Sequence, residues 1–375
     1  MKRARGLGPR LWVKRRRALG TGTRRRDLEA PHRRKRGPAR SIERAAIVGY
    51  RAAAAAMGIV PPAISRPIVG TIVQAGYLLW PTKRRWSNAN FGHVLGLPPD
   101  DPRVRRLALR AYRTYARYIV ELMRLPSGRD HPELETRGVH EVGDAWRASG
   151  GPLILTIAHM GNNEAAASVL AEHGYPVSVI ADDSAFPELF ELLRVQRRAW
   201  GVELIPWRNL REIFTVLRKD QILGIVVDWG YRADGVPVRL FDAWTTLPAG
   251  PATLAAKTGA TIIPVALTRT GAWRFRLEAD EPISVVSLEP AEIQRATQAI
   301  ADALQRAIAM APEQWYSFKP MWPLDPAEQA TLARRAQEMQ SGMGRRRGSG
   351  TAPANAGQAA APDVRGALDG KAAAS

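Results

Sequence analysis

From about residue 150 to 322, short unbroken runs of Val, Ile and Leu alternate with longer amphipathic stretches, and this alternation constrains the fold more than any other feature of the sequence. Leu153–Ile157, Val177–Ile180, Glu203–Ile205, Ile222–Val227 and Thr261–Leu267 have the length and composition of buried strands. Asn163–Glu172, Phe186–Trp200, Leu210–Lys219 and Pro251–Lys257 carry helical spacing, with Gly174 and Gly201 placed to end two of them. Strands that are apolar along their whole length must be covered on both faces. The predicted fold class is therefore α/β: a mostly parallel central sheet with helices on both faces. Ligands bind such sheets beyond the carboxyl ends of strands, which directs attention to the ends at Ala158 and Val227.

Residues 41–135 read as helices with little strand character. Two apolar segments, AAAAAMGIVPPAIS and PIVGTIVQAGYLLW, are separated by Arg66, and neither reaches the ~18–20 unbroken apolar residues of a membrane-spanning helix. Pro61, Pro62 and Pro67 are expected to interrupt any long helix here. Two readings stand side by side. In one, the segment lies in a membrane interface, with Tyr77 and Trp80 at the headgroup level and Lys83, Arg84 and Arg85 beside them. In the other, these are core helices packed on the sheet. Leu107–Leu125 is an amphipathic helix that Pro126 stops.

The net charge of +20 is unevenly distributed: residues 1–40 hold 16 Lys/Arg against Asp27 and Glu29, so +14 belongs to this arm and +6 to the rest of the 375 residues. A basic arm approaches any polyanion, so charge alone leaves both a nucleic-acid-binding protein and a membrane-associated one open. Most of the basicity would leave with residues 1–40, which weakens the nucleic-acid reading. The start has no apolar stretch of roughly 7–15 residues behind its charges, so no secretory signal is expected. The arm is either a natural disordered extension or the product of a start codon placed too far upstream. The expected organisation is a disordered arm over 1–40, one domain over 41–340 and a disordered Gly/Ala/Pro-rich tail over 341–375. Within the domain, 41–135 is helical and membrane-apposed, and 150–323 forms the α/β core. Cysteine is absent, which excludes disulfides and thiolate chemistry.

The strand ending at Ala158 runs into His159-Met160-Gly161-Asn162-Asn163-Glu164. An imidazole there can take the proton of an attacking hydroxyl, and Glu164, five positions on at a helix opening, is placed to reach its far ring nitrogen. Gly161 allows close approach, and backbone N–H groups at the helix start can face an oxyanion. Asp228 follows the run ending at Val227 and so lies at the same sheet edge, where it can bear on the imidazole, bind a substrate hydroxyl, or cap its own turn. Gly250 and Pro251 open a helix whose N-terminus suits a carbonyl or anionic oxygen. Arg194, Arg197 and Arg198 fall late on one helix, either at a site edge or on a solvated face. No His/Asp/Glu grouping has metal-ligand spacing and no Gly-rich phosphate loop is present, so neither metal nor cofactor is expected.

His159 to Glu164 resembles the HX4D/E motif of glycerolipid-type acyltransferases. RAYRTYARYIVELMRLP, GVELIPW, the run from Val227 through FDAWTTLPAGPATLAAKTGA, and PEQWYSFKPMWP accompany it in the order found in the lipid A biosynthesis (lauroyl/myristoyl) acyltransferase superfamily. The phosphatidylinositol mannoside acyltransferase branch is the nearer resemblance, and it covers about Ser41 to Pro323. It implies a glycerolipid acyltransferase-like fold and acyl transfer from acyl-CoA or acyl carrier protein, as co-substrate, to a hydroxyl of a glycolipid or phospholipid, without a covalent acyl-enzyme. It implies His159 as base, Glu164 as its acid, Asp228 as a second acid and Arg197 near the acceptor headgroup. Gly161, Asn162, Arg197 and Gly250 are the candidate substrate-contacting residues. Asn163, where the branch usually has an aromatic residue, and Trp229-Gly230 depart from its pattern, both on the acceptor side. The expected location is the cytoplasmic face of the plasma membrane, peripherally, with anionic lipid rather than nucleic acid as partner. A non-catalytic lipid-binding relative is the remaining alternative.

Overall fold

In a computed structural model, which describes residues 38–137, 151–183, 186–219 and 221–342, the alternating segment folds as a seven-stranded sheet. The chain divides into two compact units, Met1–Ala45 and Ala46–Ser375. The described part of the first is the beginning of helix α1 (Pro38–Ile59). That helix starts inside the segment expected to be disordered; the expectations for residues 1–37 and 343–375 lie outside the described residues.

The second unit holds the sheet. From one edge its strands are β1 (Glu133–Arg137), β9 (Arg274–Ala279), β8 (Thr261–Arg269), β2 (Leu153–Ile157), β5 (Ile222–Val226), β3 (Val177–Ala181) and β4 (Glu203–Pro206). The five strands from β8 to β4 are parallel, and β9 turns back antiparallel to β8. Alternation along β2 covers both faces. Leu153, with Leu155 and Ile157, joins one apolar cluster with Ile222, Ile263 and Ala165 and Ala166 of α5 (Asn163–Glu172). Ile154 and Ala158 join the larger cluster, with Leu217 of α7 (Leu210–Arg218), Leu254 of α8 (Gly250–Thr258) and Ile300 of α9 (Pro290–Met310). This is the two-sided burial that uniformly apolar strands require.

Helix α6 (Pro187–Ala199) precedes β4, and α10 (Ala327–Gln340) follows the sheet. A separate antiparallel ribbon, β6 (Val236–Leu240) and β7 (Ala243–Leu247), turns through Phe241 and Asp242, both at positive φ. Strand β1 was not expected either: its ELETR sequence has no apolar run. Backbone pairing with β9 and the packing of Leu134 hold it at the sheet edge, with in-register ion pairs alongside, Glu133 with Arg274 and Glu135 with Arg276, both at 3.0 Å.

In the helical region, Pro61 and Pro62 separate α1 from α2 (Pro62–Leu79), but Pro67 lies inside α2 without ending it. Pro67 is the sixth residue of α2, past the first turn, so its missing N–H leaves the Ala63 carbonyl without an intrahelical donor while the helix continues to Leu79. Helix α3 (Pro81–Leu95) follows, then α4 (Pro102–Arg124), capped by the Asp101 carboxylate on the Arg103 N–H and longer by a turn than the sequence pattern indicated. Tyr77, expected at a headgroup, is instead buried, its hydroxyl donating to Asn88 Oδ1 at 2.9 Å. Among the described residues no helix is long and apolar enough to cross a membrane.

Candidate active site

The register of β2 with β5 pairs Ile157 with Val226, so the chain leaves these neighbouring parallel strands side by side. The Val227 N–H still donates to the Ile157 carbonyl at 3.1 Å, carrying the pairing one step further. The next residues out are His159 and Asp228. Two adjacent strands ending in register thus bring together groups 69 positions apart.

Asp228 is fully buried, and its two oxygens are surrounded by donors. The His159 backbone N–H donates to both at 3.0 Å, and the Trp315 Nε1–H donates to Oδ2 at 2.7 Å. His159 Nδ1 lies 2.7 Å from Oδ1. A carboxylate accepts only, so Nδ1 carries the proton and Nε2 keeps its lone pair for a substrate. Burial opposes the imidazolium, but the charge and hydrogen bond of Asp228 outweigh it and hold the His159 pKa above its ordinary value, with Lys319 acting against them. Burial likewise works against the Asp228 carboxylate, yet His159, Trp315 and the backbone N–H keep its pKa below the usual range.

The imidazole is about one-third exposed and lines a cleft of about 290 Å³. Tyr115 and Tyr118 of α4, Trp229, Tyr316, Lys83 and Lys319 form much of its wall. The His159 and Trp229 rings are 5.6 Å apart, and Lys319 Nζ stands 3.9 Å above the Trp229 ring. Burial and the nearby charge of Lys83 lower the Lys319 pKa. The wall is closed by a returning segment: Met160 bridges Trp315 in antiparallel fashion, the Tyr316 N–H donates to the His159 carbonyl at 2.8 Å, and the Tyr316 hydroxyl donates to the Gly161 carbonyl at 3.1 Å.

The expected pairing of Glu164 with His159 is not what the chain adopts. Arg197 takes both Glu164 oxygens, Nε to Oε2 at 2.8 Å and Nη2 to Oε1 at 2.5 Å, and no hydrogen bond joins Glu164 to the imidazole. Arg197 is buried, and although burial disfavours its charge, Glu164 raises its pKa above the ordinary value. Arg194 and Arg198 make surface pairs with Glu191 and Glu203. Asn162 is buried, caps α5 by accepting the Ala165 N–H and donates to Glu121 Oε2 at 3.1 Å. Gly161 sits at φ +60°, and a Cβ there would meet the Leu267 carbonyl oxygen at 2.7 Å, so the close approach it permits is by backbone. Gly250 opens α8 and, like Asn162, Gly161 and Arg197, is not among the residues lining the cleft. Trp315 and Lys319 received no role in the sequence reading. Their signal was the segment PEQWYSFKPMWP, whose contacts with the strand ends cannot be inferred from local pattern. Among the described residues no group of three or more His, Asp or Glu side chains is arranged to hold a metal ion.

The bacterial lipid A biosynthesis acyltransferase family matches residues 37–323, most of the chain. The chain belongs to that family. It is accordingly a lipid acyltransferase. It is similar to the phosphatidylinositol mannoside acyltransferase of Mycobacterium tuberculosis (strain ATCC 25618 / H37Rv), 29% identical over 262 residues covering 66% of this chain and 78% of the relative. The protein of the same name from Mycolicibacterium smegmatis (strain ATCC 700084 / mc(2)155) is 30% identical over 246 residues, covering 63% of this chain and 78% of the relative.

Proposed function

We propose that this acyltransferase moves a fatty acyl group from the thioester of acyl-CoA or acyl carrier protein to a hydroxyl of a membrane glycolipid or phospholipid, with His159 as general base. The arrangement of His159 carries this reading: an imidazole oriented by a buried carboxylate at 2.7 Å, on the wall of an open cleft. Nε2 accepts the proton of the acceptor hydroxyl as its oxygen bonds to the thioester carbonyl carbon. The carbonyl electron pair moves to oxygen, where the Lys319 ammonium, on the same cleft wall, is available to the developing charge. Collapse of this intermediate breaks the C–S bond, and the leaving thiolate takes the proton from the imidazolium. Asp228 holds the ring in one tautomer and stabilises its cation.

The names of the relatives favour a phosphatidylinositol mannoside as acceptor. A cavity of about 180 Å³ between the sheet and α9 is lined by Ala158 and Val227, immediately before the two key residues, and by Ile300 and Leu304 as well as the charged Glu278, Asp280 and Arg306; its apolar part offers room for alkyl carbons. The reading places the protein peripherally on the plasma membrane, on the cytoplasmic face where acyl-CoA and acyl carrier protein are found, and α2 supports the attachment. Ile64, Ile68, Ile72 and Leu79 are exposed at spacings of four and seven, with exposed Trp80 beyond and Lys83, Arg84 and Arg85 next to it. The decisive experiment supplies labelled acyl-CoA and a total lipid extract to wild type and His159→Ala. Labelled lipid is expected from wild type and a loss of at least about 10²-fold in the variant, with its circular dichroism unchanged. Transfer at the wild-type rate would exclude His159 as the base.

A further inference from the structure

On the other side of the His159 loop lies a group of arginines that the mechanism does not use. Arg269, at the end of β8, has a side chain only 5% exposed. Its Nη1 donates to Glu121 Oε1 at 2.6 Å and its guanidinium lies 4.7 Å from the Phe275 ring centre. Its Nε and Nη2 are buried and make no well-aligned hydrogen bond, although the Tyr316 hydroxyl lies close to the guanidinium. Arg117, one turn before Glu121 on α4, donates from Nη2 to the Gly271 carbonyl at 3.0 Å. Its Nε comes within 3.4 Å of Glu121 Oε1 but makes no hydrogen bond, and it too is buried without an acceptor. The Nε of Arg66 on α2 is in the same condition. Burial pushes the Arg117 pKa down, and the charges of Arg269 and Arg66 push it the same way against Glu121.

Arg117 and Arg269 therefore share one carboxylate, with Arg66 close enough for its charge to act on Arg117, and four buried guanidinium nitrogens of the three side chains have no well-aligned acceptor. Each unmet donor has lost its hydration without a replacement, and like charges brought together in a low dielectric add to that cost. Folding would not hold such an arrangement cheaply unless something completes it. A carboxylate supplies two oxygens and one charge. A phosphate group supplies two or three free oxygens and up to two charges, and guanidinium forks match it. None of the three arginines lines the His159 cleft. The cluster is nevertheless fixed to that loop, because Glu121 Oε2 accepts from Asn162 Nδ2. Arg117 is about one-third exposed, which leaves the cluster an opening to solvent.

We propose that Arg66, Arg117 and Arg269 bind a phosphate group carried by one of the two substrates, anchoring it beside the cleft in which His159 acts. This deepens the acyl-transfer reading and rests on it for the identity of the ligand. The phosphate comes either from the nucleotide end of CoA or from the phosphodiester of a phospholipid acceptor.

The test begins with inorganic phosphate on the full chain at constant ionic strength. Phosphate is expected to raise the melting temperature of wild type, and Arg66→Gln and Arg117→Gln to remove more than half of that rise. Both side chains are partly exposed, so these variants should keep their fold where Arg269→Met, which strands Glu121, need not. Arg66→Gln should then raise KM for one substrate about 5- to 10-fold with kcat within twofold. If the donor carries the phosphate, acyl-dephospho-CoA should show the same raised KM with wild type and no further rise with the variant. If the acceptor carries it, the rise should appear with the lipid in mixed micelles. Equal phosphate shifts in all three proteins, or unchanged KM for both substrates, overturns the site and leaves the donors merely hydrated. His159→Ala should retain the phosphate shift. An Arg66-dependent shift in a wild-type protein that transfers no acyl group would leave the anion site standing and remove the catalytic reading instead.

Discussion

Asp228 and Glu164 are both carboxylates near His159, and their partners decide what each can do. Asp228 meets the imidazole directly, whereas Glu164 is taken by Arg197. Their substitutions should therefore separate cleanly. A base with a raised pKa stays protonated, and so inactive, to higher pH; the acid limb of the kcat profile should have its midpoint above 6.5. Asp228→Asn removes the charge that raises it, so the limb should move to lower pH while kcat falls about 10²- to 10⁴-fold. Glu164→Gln should leave the limb in place but cost about 3 kcal/mol in urea unfolding, because Arg197 is left buried and unpaired. A shift of the limb in Glu164→Gln would show that it acts on the imidazole after all. The sequence allowed the Asp228 contact, since both residues follow apolar runs that end at one sheet edge. It misassigned Glu164 because five positions of separation suggested a contact, while the competing cation arrives from α6 at a separation of 33 residues.

At the scale of elements, strand–helix alternation was legible because continuous apolar runs have few alternative fates. Elements that depend on partners were not. Strand β1 is charged and owes its place to its backbone pairing with β9 and to Leu134 packed against the smaller cluster, with the arginines of β9 facing its glutamates. The β6–β7 ribbon turns through a two-residue loop in which both residues have positive φ. Asn-Gly or Asp-Gly is the usual signal for such a turn, and Phe241-Asp242 does not give it. Helix α2 presents two unlike faces: Ser65, Gly70 and Tyr77 are buried as it packs on α4 rather than on the sheet, while Ile64, Ile68 and Ile72 are exposed along one stripe. If that stripe enters a lipid surface, Ile68→Glu with Ile72→Glu should weaken co-sedimentation with anionic vesicles at least about 10-fold, since each buried isoleucine is worth about 1.5–3 kcal/mol. The melting temperature in detergent-free buffer should not fall. Unchanged sedimentation would assign the stripe no role at the membrane.

For the molecule as a whole, the positive charge is concentrated in residues 1–40, and function should divide along the same line. Residues 1–36 hold 15 of the 16 basic residues of the first 40. Their removal should leave acyl transfer in detergent within about twofold and weaken salt-sensitive binding to anionic vesicles. Loss of transfer in detergent would place these residues in the catalytic machinery. Assembly of the fold has a further consequence. The indole that completes the shell around Asp228, and the hydroxyl that ties down Gly161, come from residues 315 and 316, the latter 155 positions beyond its partner. A nascent chain still lacking this stretch can form much of the sheet but not the finished pocket. Turnover is thus a test of completed synthesis and folding, and an interrupted product should be inert rather than partly competent.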